Sequence, residues 1–191
     1  MQEIFGKVAG IFSLLGYGFY ILSIFRGETK PSRTTWWIWS PLAVTLYFSA
    51  EAAGAKETLW VARSEVIGII TIALLSIRYG KKQKEVGENF CILGSVVSLI
   101  VLWVFKRPDV ALIAALTTDT FALWPTIQKT RKHPKEEDKF AWTLTQTGNF
   151  INLFAIRQMT FGEIVYPVWL FVLDGVLLWF LFFPKRKERK I

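Results

Sequence analysis

Cysteine, histidine and acidic residues are scarce in this sequence. Its 191 residues include one cysteine, Cys91, and one histidine, His133, which excludes an intramolecular disulfide framework and a histidine-rich metal cluster. Fifteen Asp and Glu stand against 23 Lys and Arg, a formal net charge of +8. The sequence also contains no glycine-rich phosphate loop, nucleophile elbow, zinc-ligand spacing or Glu-x-x-His pattern. We therefore expect no enzymatic activity, no cofactor and no metal.

Apolar side chains, in contrast, are abundant. The chain is 52% hydrophobic and 16% aromatic, with a mean hydropathy of +0.36. A soluble domain cannot carry so much apolar side chain without large exposed patches, so most of it is expected to face lipid. Because a helical span needs about 20 residues, seven spans would use roughly 140 positions and leave no room for an appended soluble domain.

Seven apolar runs, separated by charged or Gly/Pro-marked breaks, predict an all-α membrane protein with seven transmembrane helices, here spans 1 to 7. The fourth run is short, and the third and sixth are interrupted by polar residues. The predicted bounds are Ile4–Phe25, Trp36–Ala53, Leu59–Tyr79, Phe90–Phe105, Val110–Ile127, Phe140–Ile156 and Ile164–Phe183.

The basic residues follow an alternation that matches these spans. Seventeen of the 23 Lys and Arg fall in loops 1–2, 3–4 and 5–6 and in the C-terminal tail, and six fall on the opposite side. The positive-inside rule then predicts an external N-terminus and a cytoplasmic C-terminus in a multi-pass protein of the inner (plasma) membrane. The basic loops are explained by anionic lipid, so no nucleic-acid partner is expected. Loop 5–6 is interpreted as a solvated charged connection.

An internal repeat relates spans 1 and 2 to spans 5 and 6 at an offset of 102–104 residues. It predicts two parallel three-helix repeats, residues 1–84 and 109–191, around a linker helix at 85–108. Parallel repeats of this kind occur in transporters whose substrate site lies near the membrane midplane. Chance similarity between short aromatic and basic stretches is the alternative. The matched pairs are Phe19 with Phe121, Pro31 with Pro134 and Trp39 with Trp142.

The 3+1+3 layout and one local motif resemble the PQ-loop and SWEET group of membrane transporters. The motif is Trp-Pro-Thr-Ile-Gln at 124–128, followed by basic residues, acidic residues and a span containing Asn. The resemblance implies a hinge at Pro125 and a polar pocket group at Asn149 or Asn152. Thr follows Pro125 where the PQ name has Gln, and Ser23 stands where the first repeat would have Pro. The Trp-rich nicotinamide-riboside carriers share this architecture. The TKP…TTWWIW segment resembles an uncharacterised bacterial membrane family, which implies no function.

Carboxylates inside the predicted spans are candidate functional groups, because ionisable side chains at membrane depth are costly. Asp119 in span 5 and Asp174 in span 7 could load and release a proton, as a coupling site requires. Glu65 lies nearer the outer interface, with Arg63 as its candidate neutraliser. The alternative is a protonated Asp that only hydrogen-bonds a neighbouring helix, supported near Asp119 by the hydroxyls of Thr117, Thr118 and Thr120.

Span 6 carries a polar and aromatic stripe. Trp142, Thr145, Asn149 and Asn152 fall within an arc of about 80° at helical periodicity. Amides that donate and accept hydrogen bonds, next to an indole face, are typical of a pocket for a neutral polar metabolite. The alternative is interhelical hydrogen bonding, with Gly148 allowing close packing.

Tryptophan and proline give weaker signals. Most tryptophans near span ends are interpreted as membrane-interface residues, while Trp39, Trp124 and Trp142 are singled out by the repeat and the proline motif. Pro41, Pro125 and Pro167 are candidate hinges. The tryptophans near span ends are Trp36, Trp37, Trp39, Trp60, Trp103 and Trp142.

Together these features predict a carrier for a small neutral or zwitterionic metabolite such as a sugar, vitamin nucleoside or amino acid. It would work by alternating access, with a proton link through the buried acids. Its expected partners are membrane lipid and the small-molecule substrate. Formation of a homo-oligomer is an open alternative. An ion channel and a non-transporting receptor or assembly protein remain alternatives, because fold alone does not specify function.

Overall fold

A computed structural model describes residues 1–81 and 107–183, together with the single positions Asn89, Leu93 and Val104. Apart from those positions, predicted span 4 and the basic tail after Phe183 lie outside the described residues. In the described part there are six α-helices, two short 3-10 helices (Pro134–Glu136 and Leu153–Ala155) and no β-strand. The helices are α1 (Gln2–Phe25), α2 (Arg33–Ala52), α3 (Leu59–Tyr79), α4 (Pro108–Lys132), α5 (Lys139–Asn152) and α6 (Phe161–Phe182).

A helix lies at each predicted span that falls on described residues, and local signals explain its limits. The side chain of Ser32 accepts a hydrogen bond from the backbone N–H of Thr35 at the start of α2. Asp138 accepts one from the N–H of Ala141 at the start of α5. Such N-caps satisfy backbone donors that the first helical turn leaves free. Gly27 and Gly54, with φ of 74° and 97°, let the chain leave α1 and α2.

Four of the described helices are long and apolar enough to cross a membrane, and they are compatible with a multi-pass membrane protein. They are α1, α3, α6 and the Asp109–Lys132 portion of α4. Helix α5 has only 14 residues before the chain tightens into a 3-10 helix. Predicted span 6 is therefore shorter as an α-helix than expected, because the apolar residues Leu153–Ala155 near its end form the 3-10 helix instead.

The six helices form a closed ring. Going around it, each helix packs mainly on the next in the order α1, α5, α6, α4, α2, α3 and back to α1. We call α1–α3 the first triplet and α4–α6 the second triplet. Within each triplet the third helix lies between the other two, and the triplets meet where α1 packs on α5 and α2 on α4.

Helix α1 packs closely on two neighbours because small residues line it. Gly10 lies against the backbone of Trp60 in α3, and Gly16 lies against Ala141 and Thr145 in α5. A Cβ at either glycine would overlap these atoms, so the close approach depends on glycine. Large apolar side chains on the outside of the ring are exposed, as a lipid-facing surface requires.

The described residues of loops 1–2, 3–4 and 5–6, which are predicted to share one side of the membrane, lie together at one end of the ring, here the basic end. The backbone N–H of Lys30, between α1 and α2, donates to the Glu136 carbonyl between α4 and α5 at 3.2 Å. The N–H of Lys81, just after α3, donates to the Pro31 carbonyl at 2.9 Å. Helix α4 ends here and its 25 residues span about 37 Å, so Arg107 lies at the opposite end from Lys81.

Candidate functional site

A small cavity lies inside the ring, lined by side chains from all six helices. Three of the lining residues are carboxylates, three are aromatic and four are aliphatic. The cavity measures about 30 Å³, enough for one or two water molecules and too small for a metabolite in this conformation. The carboxylates and aromatics are Glu65, Asp119, Asp174, Tyr17, Trp39 and Trp142.

The three carboxylates come from three helices, and two of them have one hydrogen-bond donor each. Asn149 of α5 donates its amide N–H to Asp174 of α6 at 2.8 Å. The hydroxyl of Tyr166 in α6 donates to Glu65 in α3 and so links the two triplets. The expected neutralisation of Glu65 by Arg63 does not occur, because Arg63 lies over the rings of Trp60 and Tyr47.

Asp119, near the middle of α4, lacks the support expected from its neighbours. The hydroxyls of Thr117, Thr118 and Thr120 all donate to carbonyls one turn earlier in the same helix. The indole N–H of Trp39 faces the Asp119 carboxylate but makes no hydrogen bond of normal geometry. Asp119 and Trp39 are each only 7% exposed. The Trp39 N–H is thus a buried donor that faces a carboxylate at the cavity without a hydrogen bond of normal geometry.

The predicted stripe on α5 is one buried face, but its members have different surroundings. Trp142 lines the cavity, and Asn149 reaches it through Asp174. Asn152 instead donates to the Thr58 carbonyl at 3.2 Å, across the triplets. The hydroxyl of Thr145 donates to the Trp142 carbonyl within α5. The structure therefore brings Trp142 to the cavity and Asn149 to one of the cavity carboxylates.

An aromatic cluster separates the cavity from the basic end. Trp39 and Trp142, matched by the internal repeat, meet edge to face with ring centroids 6.3 Å apart. Trp36 packs against both of them and against Tyr20. Its assignment as a membrane-interface residue is wrong, because the ring is buried among these aromatics. Trp124 does not join the cluster and is exposed, and Trp103 lies outside the described residues.

Beyond the aromatic cluster, a buried ion pair joins Lys129, at the end of α4, to Glu137 just before α5. Both side chains are almost fully buried. Glu137 also accepts hydrogen bonds from the Tyr20 hydroxyl at 2.9 Å and the Trp142 indole N–H at 3.0 Å. The Lys129 ammonium donates to the Lys30 carbonyl. We call Lys129 and Glu137 with these partners the basic-end plug.

The plug corrects the interpretation of loop 5–6 as a solvated connection. Glu136 beside it pairs with Lys81 at 3.3 Å, so the loop also binds the residue after α3. Sequence reasoning counted these charges by side of the membrane and missed their pairing. The available signal was a run of three acidic residues, Glu136 to Asp138, placed between Lys135 and Lys139.

The candidate hinge prolines lie close to these groups. Pro41 is in α2 two residues after Trp39, and Pro125 is buried in α4 between the cavity and the plug. Pro167 is buried in α6 next to Tyr166. A proline inside a helix removes one backbone hydrogen bond and permits bending there.

Comparisons with protein-family models, with curated proteins and with solved structures return no match for this chain. Among the described residues, no group of three or more His, Cys, Asp and Glu side chains is arranged to hold a metal ion. The cavity carboxylates share a space without converging as metal ligands.

Proposed function

We propose that this chain is an integral membrane carrier that moves a small metabolite by rocking of its two triplets. The observation that carries the proposal is the cavity between the triplets, with hydrogen bonds across the triplet interface on either side of it. Toward the basic end these bonds join Tyr20 to Glu137 and Lys129 to the Lys30 carbonyl. Toward the other end they join Tyr166 to Glu65 and Asn152 to the Thr58 carbonyl.

Such an arrangement suits alternating access, in which one layer of contacts opens while the other stays closed. In this proposal the structure corresponds to a closed intermediate, because both layers are formed and the cavity is small. Opening at the basic end would separate Tyr20 from Glu137 while Tyr166 still binds Glu65. Opening at the other end would do the reverse.

The proposed 3+1+3 arrangement is supported by the matching order of helices in the two triplets. The repeat alignment that pairs Trp39 with Trp142 brings both tryptophans to the same cavity. The pairing of Phe19 with Phe121 also places Tyr17 on Asp119, and these two residues line the cavity as well. A seventh helix between Lys81 and Arg107 would connect the two ends at which these residues lie. The relationship to PQ-loop and SWEET proteins belongs to this proposal.

Roles for individual residues follow from their positions. Trp142 would contact the substrate, and Asn149 would hold Asp174, a carboxylate next to the substrate. Asp119 and Asp174 would carry a coupled proton. Thr145 and Asn152 would hold α5 in place, since their hydrogen bonds go to backbone carbonyls. Pro125 would permit bending of α4 between the cavity and the plug, with Pro41 and Pro167 as the corresponding sites in α2 and α6.

Uptake into proteoliposomes tests the proposal with a labelled sugar, a labelled amino acid and labelled nicotinamide riboside as probes. We expect saturable uptake of at least one probe, and a loss of about tenfold or more in Asn149→Ala, which removes a hydrogen bond to a carboxylate. We expect Asp119→Asn to abolish the dependence of uptake on pH.

Asp109→Asn is the matched control, because Asp109 is on the same helix but exposed in an ion pair with Arg107. Unchanged uptake in both Asn149→Ala and Asp119→Asn would contradict these assignments. Single-channel currents in planar bilayers would favour a channel instead. A protein or peptide partner without any flux would favour a receptor.

A further inference from the structure

The central cavity is unusual for the chemistry of its lining. It collects three carboxylates, and no Lys, Arg or His among the described residues lines it. The other two buried acids of the described chain are well satisfied. Glu137 pairs with Lys129, and Glu163 accepts the backbone N–H groups of Arg157 and Gln158 at 2.9 and 2.6 Å. Glu65 and Asp174 in the cavity, in contrast, have one side-chain donor each and no cation beside them among the described lining residues.

Asp119 and Trp39 show that the protein does not complete this site by itself. Both side chains are more than nine-tenths buried and line the cavity. The threonine hydroxyls next to Asp119 donate elsewhere, and the Trp39 N–H has no hydrogen bond of normal geometry. A buried polar group without a partner costs free energy. Of the described side chains, only that one N–H faces Asp119, whose carboxylate can accept about four hydrogen bonds, so a ligand that supplies further donors would complete the acceptor side of the site.

The aromatic side of the cavity fits a positive charge. Trp39, Trp142 and Tyr17 line it, and the face of an indole attracts a cation through the ring quadrupole. Elsewhere in this chain, Arg63 and Lys7 lie over the Trp60 ring, whereas no cation of the described chain lies over Trp39 or Trp142. The cavity therefore combines ring surfaces and carboxylates without a resident cation.

The size of the cavity and its ligand geometry narrow the class of cation. About 30 Å³ accepts a group of the size of an ammonium head. The carboxylates are not arranged as a metal site. An ammonium group donates several hydrogen bonds and can use carboxylates on different helices. A ligand carboxylate would find no basic side chain among the described lining residues, which disfavours zwitterions.

We propose that the central cavity binds the ammonium group of a small organic cation, between Asp119 and Asp174 on one side and the rings of Trp39 and Trp142 on the other. The cation site itself does not depend on transport. The identification of the bound amine as a transported substrate rests on the proposed carrier function. This identification replaces the neutral or zwitterionic metabolites expected from the sequence with primary amines that lack a carboxylate.

Thermal unfolding of the purified full chain in detergent tests the binding with methylammonium chloride as the probe. Sodium chloride at equal ionic strength and methanol, a neutral probe of similar size, are the controls. A ligand selective for the native state raises the Tm, and we expect a rise of about 5 °C with saturating methylammonium. Neither control should produce it. An equal rise with sodium chloride, or none with methylammonium, would overturn the proposal.

Variants locate the site. Asp119→Asn should lose the methylammonium shift, while Asp109→Asn on the same helix should keep it. If Asp119→Asn does not fold, Trp39→Leu serves, since it removes the ring surface and should also lose the shift. A shift retained in a folded Asp119→Asn and in Trp39→Leu would overturn the assignment to this cavity. Glycine is a further probe, because it carries an ammonium group together with a carboxylate. It should raise the Tm less than methylammonium does.

Uptake of labelled methylammonium into proteoliposomes separates this inference from the proposed function. Binding without flux would support the cation site and contradict the carrier. Saturable flux of a sugar without methylammonium binding would contradict the cation site and support the carrier.

Discussion

The basic-end plug and the central cavity both bury carboxylates, but they satisfy them in opposite ways. Glu137 in the plug has an ion pair with Lys129 and accepts hydrogen bonds from Tyr20 and Trp142. Asp119 in the cavity faces the indole N–H of Trp39 and has no cation beside it among the described lining residues. The two sites lie on either side of one aromatic cluster, and Trp142 belongs to both.

The difference indicates which function each region can have. A buried pair with additional hydrogen bonds holds its charges, and removing one partner is costly. A buried carboxylate without a cation becomes neutral or binds one, because an isolated charge in an apolar interior is unfavourable. The plug is therefore suited to close one end of the ring, and the cavity is suited to exchange protons or cations.

The largest expected effect comes from breaking the plug. Lys129→Met leaves Glu137 buried without its cation, and we expect a loss of about 3–5 kcal/mol in the free energy of unfolding. Chemical unfolding in detergent measures it. The control is Lys135→Met, exposed on the same loop, which should have little effect. The double variant Lys129→Met/Glu137→Gln should recover most of the loss. No recovery would show that packing, rather than charge, holds this region.

A smaller effect is expected from the wall of the cavity. Gly68 in α3 lies directly against the ring of Tyr17, so an added Cβ would overlap the ring. Gly68→Ala should lower the free energy of unfolding by about 3 kcal/mol, near the upper end for overpacking. The same measurement on Gly18→Ala is the control, because nothing lies within 4 Å of the position its Cβ would take. Equal stability of the two variants would mean that Tyr17 is free to move.

The smallest effects compare one hydroxyl in each region. Tyr20→Phe removes a donor from the paired Glu137, and a bond to a charged group is worth about 2 kcal/mol. Tyr166→Phe removes a donor from Glu65, which has no cation beside it among the described lining residues and is expected to be neutral, and a bond to a neutral group is worth about 1 kcal/mol. We therefore expect Tyr20→Phe to be the more destabilising change in thermal unfolding. Equal losses would place both carboxylates in the same charge state.

The positions of the helices were largely predictable from the sequence. Continuous apolar runs give α1, α3 and α6 within a few residues of their observed limits, because burial in an apolar phase depends on local composition. The interrupted run at α5 predicted a longer helix than the 14 residues observed. The gathering of these connections at one end of the ring was also predictable, since Lys30 and Lys81 do meet the α4–α5 connection.

The partners of the polar side chains were less predictable. The stripe on α5 was recognised as one face, but periodicity does not distinguish Asn149, which binds Asp174, from Asn152, which binds a backbone carbonyl. Arg63 was expected to neutralise Glu65 because they are neighbours in sequence. In the structure they contact different helices, and Tyr166 binds Glu65 instead.

Composition and periodicity alone determined that this chain is helical and apolar, with its charges gathered into alternate connections. Those properties depend on each residue and its near neighbours. Only the tertiary structure decided which buried charges are paired, because their partners come from distant parts of the chain. Tyr20 and Glu137 are separated by 117 positions, and Glu65 and Tyr166 by 101. Packing of the ring brings these pairs together and leaves Asp119 facing the cavity.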